Sequence, residues 1–207
     1  PLETATTNIL GTVHMLEALR ANAIDCPVVV VTSDKCYENP GGNHAFTEAD
    51  PLGGHDAYSA SKAATEIMAQ SWQHAFSGRI ATARAGNVIG GGDYGENRIV
   101  PDCVRALQAG EPIAVRNPAA TRPWQHVLDC LSGYLWLGAR LAEDAAFTEA
   151  FNFGPQPEAQ RPVRELVEHI LQHWPGEWTD ASDANAPHEA ATLSLAIDKA
   201  HQRLDWQ

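Results

Sequence analysis

Two short stretches hold the residues best suited to chemistry. In Tyr58-Ser59-Ala60-Ser61-Lys62, a phenol and an ammonium stand four residues apart. On a helix that spacing puts both side chains on one face. A nearby positive charge favours the phenolate form of tyrosine, and a tyrosine so poised can accept a proton from a substrate hydroxyl. The second stretch is Thr32-Ser33-Asp34-Lys35-Cys36-Tyr37, with a hydroxyl, a carboxyl and an amine in succession. Ser33 can hydrogen-bond a reacting oxygen, and Asp34 and Lys35 can divide acid and base roles. The plainer alternatives are a chance pairing on a surface helix and an aspartate capping a turn beside an exposed lysine. The chain has three lysines, and two of them fall in these stretches.

The surrounding elements give both stretches a place. Val28-Val29-Val30-Val31 is a continuous β-branched run, read as a buried strand over 28–32. Ser33, Asp34 and Lys35 then lie at its carboxyl end, where open α/β sheets bind ligands. The Gly/Pro-rich segment 38–57 is a long loop, and a loop of that length points to function. Residues 57–76 read as a helix carrying Ala60, Ala63, Ala64, Ile67, Met68 and Trp72. An earlier helix over 4–21 aligns Ile9, Leu10, Val13, Leu16 and Leu19 on one face. Further along come a strand at 79–85, a glycine-rich loop at 90–95 and a helix at 100–109. A strand at 113–115, a helix at 126–141, a strand at 151–153 and a helix at 163–173 follow, and 174–192 reads as polar and irregular. Strands alternating with helices indicate an α/β fold with a parallel sheet. The alternation weakens near residue 110, which divides a sheet domain (1–110) from a smaller region (111–207).

Composition narrows the function. The 207 residues carry a net charge of −12, against the basic footprint expected of nucleic-acid binding. No apolar run reaches membrane-span length, and no basic, apolar signal peptide opens the chain. Cys26, Cys36, Cys103 and Cys130 form no Cys-x-x-Cys pair. No Cys/His cluster has zinc spacing, so no metal is expected and reduced thiols in a cytoplasmic protein are the simplest reading.

A Ser at a strand end followed by Tyr-x-x-x-Lys on the next helix resembles the catalytic set of the short-chain dehydrogenases/reductases. Thr7-Asn8-Ile9-Leu10-Gly11-Thr12 and Arg84-Ala85-Gly86-Asn87-Val88-Ile89-Gly90 are similar to the extended branch of that family. In its nucleotide-sugar 4,6-dehydratases the Ser or Thr is followed by Asp and usually Glu. This chain has Lys35 instead, and Ser-Asp-Lys resembles the CDP-glucose 4,6-dehydratases. So do Gly91-Gly92-Asp93-Tyr94, Arg98-Ile99-Val100-Pro101-Asp102 and the segment from Ala120 to Leu128.

The resemblance implies a partial Rossmann-type parallel sheet with a smaller C-terminal substrate-binding region. It implies NAD as cofactor, held in part by Tyr58 and Lys62, and conversion of CDP-glucose to CDP-4-keto-6-deoxyglucose. Tyr58 would take the 4-hydroxyl proton, Lys35 the C5 proton, and Asp34 would protonate the departing 6-hydroxyl. A lysine base must be neutral and an aspartic acid protonated, so the two need opposed environments. In contact they would instead stabilise each other's charged forms. Arg122 is the first choice for the substrate pyrophosphate, because a guanidinium suits it in charge and geometry. Arg98 and Arg116 follow. Asn87 matches a family position near the substrate phosphates, and His126 and Trp124 are candidates for the nucleotide or sugar pocket. The Gly-x-x-Gly-x-x-Gly turn that holds the NAD pyrophosphate in this family does not occur in the 207 residues. A cofactor-binding segment ahead of Pro1 is therefore expected. The family also pairs through helices on one face, which makes helix 57–76 a candidate homodimer surface. A 4-epimerase of the same fold would need Ser33, Tyr58 and Lys62 but not the Asp34-Lys35 pair, and a non-catalytic module would need none of them.

Overall fold

The computed structural model describes residues 1–183 and 193–207. Three parallel strands form its sheet: β1 (Val28–Val31), β3 (Ile80–Ala85) and β8 (Ala150–Phe153), in the order β1-β3-β8. Val30 stands opposite Thr82, which in turn stands opposite Ala150. β3 is central and every one of its residues is buried. Side chains alternate across a strand, and β3 uses the alternation fully. Ala81, Ala83 and Ala85 join the cluster of Cys130, Leu137 and Leu141 on α5 (Val127–Glu143). Ile80 packs with Leu16 and Ala69 on the opposite face, where Ala69 belongs to α3 (Ala57–Phe76).

The same face of β3 carries a buried polar network. Arg84 and Glu66 of α3 form an ion pair at 2.7 Å, with side chains 1% and 0% exposed. Thr82 donates to Glu66 at 2.7 Å, and Thr32 also donates to it. Arg84 reaches the Tyr37 hydroxyl at 2.9 Å, which donates to Asn152 at 2.6 Å. The network ties α3, β3, β8 and the segment after β1 together, and each ionic group in it has a partner, as burial requires.

Several features depart from the sequence reading. The first helix runs over 2–21, from α1 (Leu2–Ala5) through a π-helical turn at Thr6–Leu10 into α2 (Gly11–Ala21). Its Leu16 is buried but Leu10 is 47% exposed, so the apolar stripe is narrower than expected. β1 is not buried throughout: Val31 is 48% exposed, because among the described residues β1 pairs only with β3 and forms an edge. The loop 38–57 contains β2 (Ala45–Phe46), which pairs with β11 (Ser194–Leu195).

A second core lies beyond residue 98. α4 (Ile99–Ala109), β5 (Ile113–Val115) and α6 (Val163–His173) enclose Cys103, Leu107, Ile113, Val115 and Val167. β5 pairs with β10 (Trp178–Asp180), so part of the stretch read as irregular is a strand. Residues 184–192 of that stretch lie outside the described residues. Two further pairings bring distant segments together: β4 (Val88–Ile89) with β7 (Gln125–His126), and β6 (Thr121–Arg122) with β9 (Arg161–Pro162). Among the described residues no helix is long and apolar enough to cross a membrane.

Candidate active site

The chain turns sharply as it leaves β1. Ser33 has extended backbone and caps a single 3-10 turn, Asp34–Cys36, its hydroxyl oxygen accepting from the Lys35 backbone N–H at 3.1 Å. The same hydroxyl donates to Asp34 Oδ1 at 3.0 Å. Its one proton is therefore directed at Asp34, and Ser33 holds the carboxyl in place. Asp34 is 4% exposed. Burial pushes its carboxyl up to about 6, opposed by the Ser33 hydrogen bond and by the charges of Lys35 and Arg122. Lys35 itself is exposed.

α3 begins where the loop after β1 ends. Asp56 caps it, accepting from the backbone N–H groups of Tyr58 at 2.8 Å and Ser59 at 2.9 Å and from the Ser59 hydroxyl at 2.6 Å. An aspartate at this position satisfies otherwise unpaired helix donors. The cap fixes the first turn, which carries Tyr58, and Lys62 follows one turn later. The Tyr58 side chain is exposed and its hydroxyl has no hydrogen-bond partner among the described residues, leaving the phenol available. Lys62 is half-buried, and its Nζ donates to the Val31 carbonyl, the last of β1, at 3.3 Å. Burial lowers the Lys62 ammonium below the usual lysine range, with Cys36 and Glu66 pulling the other way. An ammonium has three N–H donors. Two remain to donate to hydroxyl oxygens of a bound molecule.

The expected phosphate ligands divide into two groups. Arg122, on β6, is only 8% exposed, and its charge acts on Asp34, so the fold brings it to the Ser33–Lys35 turn. Asn87 follows β3 with φ +43°, and its carbonyl accepts from the Gln125 backbone at 3.3 Å. Arg98 stands at the start of α4, after the glycine-rich loop, and pairs with Asp93 at 2.8 Å. Arg116 is exposed just beyond β5. Among the described residues no contact joins Arg98 or Arg116 to the Asp34 turn. The His126 side chain caps α5, its Nδ1 accepting from the Leu128 N–H at 3.2 Å, and the Trp124 indole donates to the Arg161 carbonyl at 3.0 Å.

Sequence reasoning did not single out three contributors. Asn8, inside the π-helical turn, donates to Ser61 Oγ at 2.9 Å, while its carbonyl accepts from Thr65 at 3.0 Å, clamping the first helix to the Tyr58 helix. π-helical turns often mark functional positions, but no sequence signal announces one. Tyr134 of α5 lies within electrostatic reach of both Asp34 and Tyr58, and burial raises its phenol. Gly86 makes room for the Asp34 carboxyl.

The site thus presents an exposed phenol, a half-buried ammonium and a buried carboxyl at one end of the sheet. The model of the NAD dependent epimerase/dehydratase family matches residues 1–154. The chain belongs to that family. Among its relatives is the CDP-glucose 4,6-dehydratase of Salmonella typhimurium, 40% identical over 217 aligned residues that cover 100% of this chain and 60% of that protein. The dTDP-glucose 4,6-dehydratase of Xanthomonas campestris pv. campestris is 28% identical over 83% of this chain and 50% of its own length. The chain thus spans half to three-fifths of the length of these two relatives. In structure, the epimerase/dehydratase fold is shared with a dTDP-glucose 4,6-dehydratase from Bacillus anthracis in complex with NAD. Its TM-score is 0.85 at 23% identity, covering 98% of this chain and 63% of that one. A UDP-glucuronic acid 4-epimerase from Bacillus cereus superposes with a TM-score of 0.82 at 18% identity, covering 98% of this chain and 62% of that one.

Proposed function

We propose that the full-length protein is a hydro-lyase that converts CDP-glucose to CDP-4-keto-6-deoxyglucose with NAD as cofactor. The observation that carries this reading is the acid at the end of β1. Asp34 is buried, is pushed up to about 6, and stands beside an exposed lysine. An epimerase needs only the tyrosine, the lysine and a hydroxyl; dehydration also needs an acid for the leaving hydroxyl. A raised carboxyl beside an amine meets that need. The 40% identity to a CDP-glucose 4,6-dehydratase supports the same substrate.

The tasks divide among the residues. The Tyr58 phenolate, supported by Lys62, takes the proton of the sugar 4-hydroxyl. NAD, when bound, would supply the hydride acceptor and donor that oxidation at C4 and reduction at C6 require. The resulting 4-ketone acidifies C5–H, and Lys35 takes that proton, giving it back to C5 once hydride has reached C6. Asp34 gives its proton to the 6-hydroxyl, which leaves as water. Ser33 holds Asp34 by the 3.0 Å hydrogen bond. Arg122 receives the pyrophosphate, with Asn87 nearby; Arg98, Arg116 and His126 are the outer candidates for the nucleotide. Tyr58 and Lys62 would also hold the cofactor's ribose. In this reading residues 1–110 supply the catalytic part and 111–207 mainly the substrate-binding part, with β8 and α5 returning to the sheet. Helix 57–76 is the proposed homodimer surface, with Ile67 54% exposed on it. The four free thiols fit a cytoplasmic enzyme.

The test is to supply the full-length protein with NAD⁺ and CDP-glucose and to follow loss of one water by mass spectrometry, alongside Lys35→Ala. Product from the wild type alone supports both the reaction and the base. Product from both removes Lys35 from its role. An epimerised or unchanged sugar overturns dehydration.

A further inference from the structure

We infer that Gly86 is a positioning residue for Asp34: its missing side chain is the space in which the Asp34 carboxyl sits. The inference rests on the acid role proposed above and adds a residue to it. A Cβ at position 86 would stand 1.8 Å from Asp34 Oδ2, 2.4 Å from Cγ and 3.1 Å from Oδ1. These are the three atoms nearest to it, and all belong to the one carboxyl. Ordinary van der Waals contact starts at 3.4 Å, so the carboxyl would have to retreat by more than an ångström.

Backbone conformation does not explain the glycine. Gly86 is absent from the positive-φ positions, which include Gly41, Gly42, Gly92 and Gly110. An alanine would fit its backbone without strain, and the Gly86 carbonyl would still accept from Gln125 Nε2 at 3.0 Å. What must yield is the Asp34 side chain rather than main chain. The cost falls on placement of the acid. A retreating carboxyl loses the 3.0 Å hydrogen bond from Ser33 and its position at the end of β1.

The experiment is a double-mutant cycle in the full-length protein with NAD⁺ and CDP-glucose, using Gly86→Ala, Asp34→Ala and the pair. Steady-state kinetics and melting temperature are measured for each. Because misplacing a reacting group by an ångström costs about 100-fold, Gly86→Ala should lower kcat by about 10- to 100-fold with KM nearly unchanged. In the Asp34→Ala background, where the carboxyl is gone, the same substitution should change kcat by less than about twofold, since coupled sites are non-additive. Asp34→Ala with a wild-type kcat would overturn the acid role and this inference with it. A loss in Asp34→Ala beside an unchanged kcat in Gly86→Ala would overturn the inference alone, as would an equal loss in both backgrounds. If Gly86→Ala unfolds, the double variant decides. A wild-type melting temperature once the Asp34 carboxyl is removed supports the inference, and no recovery overturns it.

Discussion

Replacing Asp34 by asparagine should make the protein more stable and far less active, and the stability gain should depend on pH. The carboxyl is 4% exposed, and burial raises it from 3.8 to about 6. At 1.36 kcal/mol per pH unit, that rise corresponds to about 3 kcal/mol of preference for the protonated form in the folded protein. Below about pH 4 the carboxyl is protonated in both folded and unfolded chains and contributes nothing. Between about pH 4 and 6 the folded state binds more protons than the unfolded one, so stability falls as pH rises. Above about 6 the full 3 kcal/mol is lost. Asparagine cannot ionise, still accepts the Ser33 hydroxyl, and avoids the loss. Urea unfolding of wild type and Asp34→Asn at about pH 3, 6 and 8 should therefore show a stability difference that grows by about 3 kcal/mol from the lowest to the highest pH. Titrations common to both chains cancel in that difference. A flat difference across the range, or one that shrinks with pH, would refute the buried-acid argument. Dehydration should fall by about 10²- to 10⁴-fold in the same variant, the usual contribution of a general acid.

Tyr58→Phe should lower kcat by about 10²- to 10⁴-fold while leaving melting temperature unchanged, because its hydroxyl makes no hydrogen bond among the described residues; calorimetry beside steady-state kinetics checks both. Glu66→Gln should cost about 3–5 kcal/mol in denaturant unfolding, since it strands the buried Arg84 guanidinium without its counter-ion.

Much of the site was legible in the sequence because local rules govern those parts. The four-residue spacing of Tyr58 and Lys62 fixes a shared helix face, and the Val28–Val31 run fixes a strand with Ser33 and Asp34 at its end. Asp56, which the sequence reading does not single out, caps the Tyr58 helix. The alternation of elements also gave the α/β class with its parallel sheet. Sequence could not show that Asp34 is buried against Gly86, that Arg122 comes to it from β6, or that Arg84 and Glu66 form a buried pair. Each of these joins segments far apart in the chain, and nothing in either segment alone encodes the other. The Asp34-Lys35 conflict was likewise open in sequence, since neighbours were expected to hold each other charged. The tertiary structure decides the aspartate's side of it: Asp34 is buried, and desolvation outweighs the attraction of the adjacent lysine.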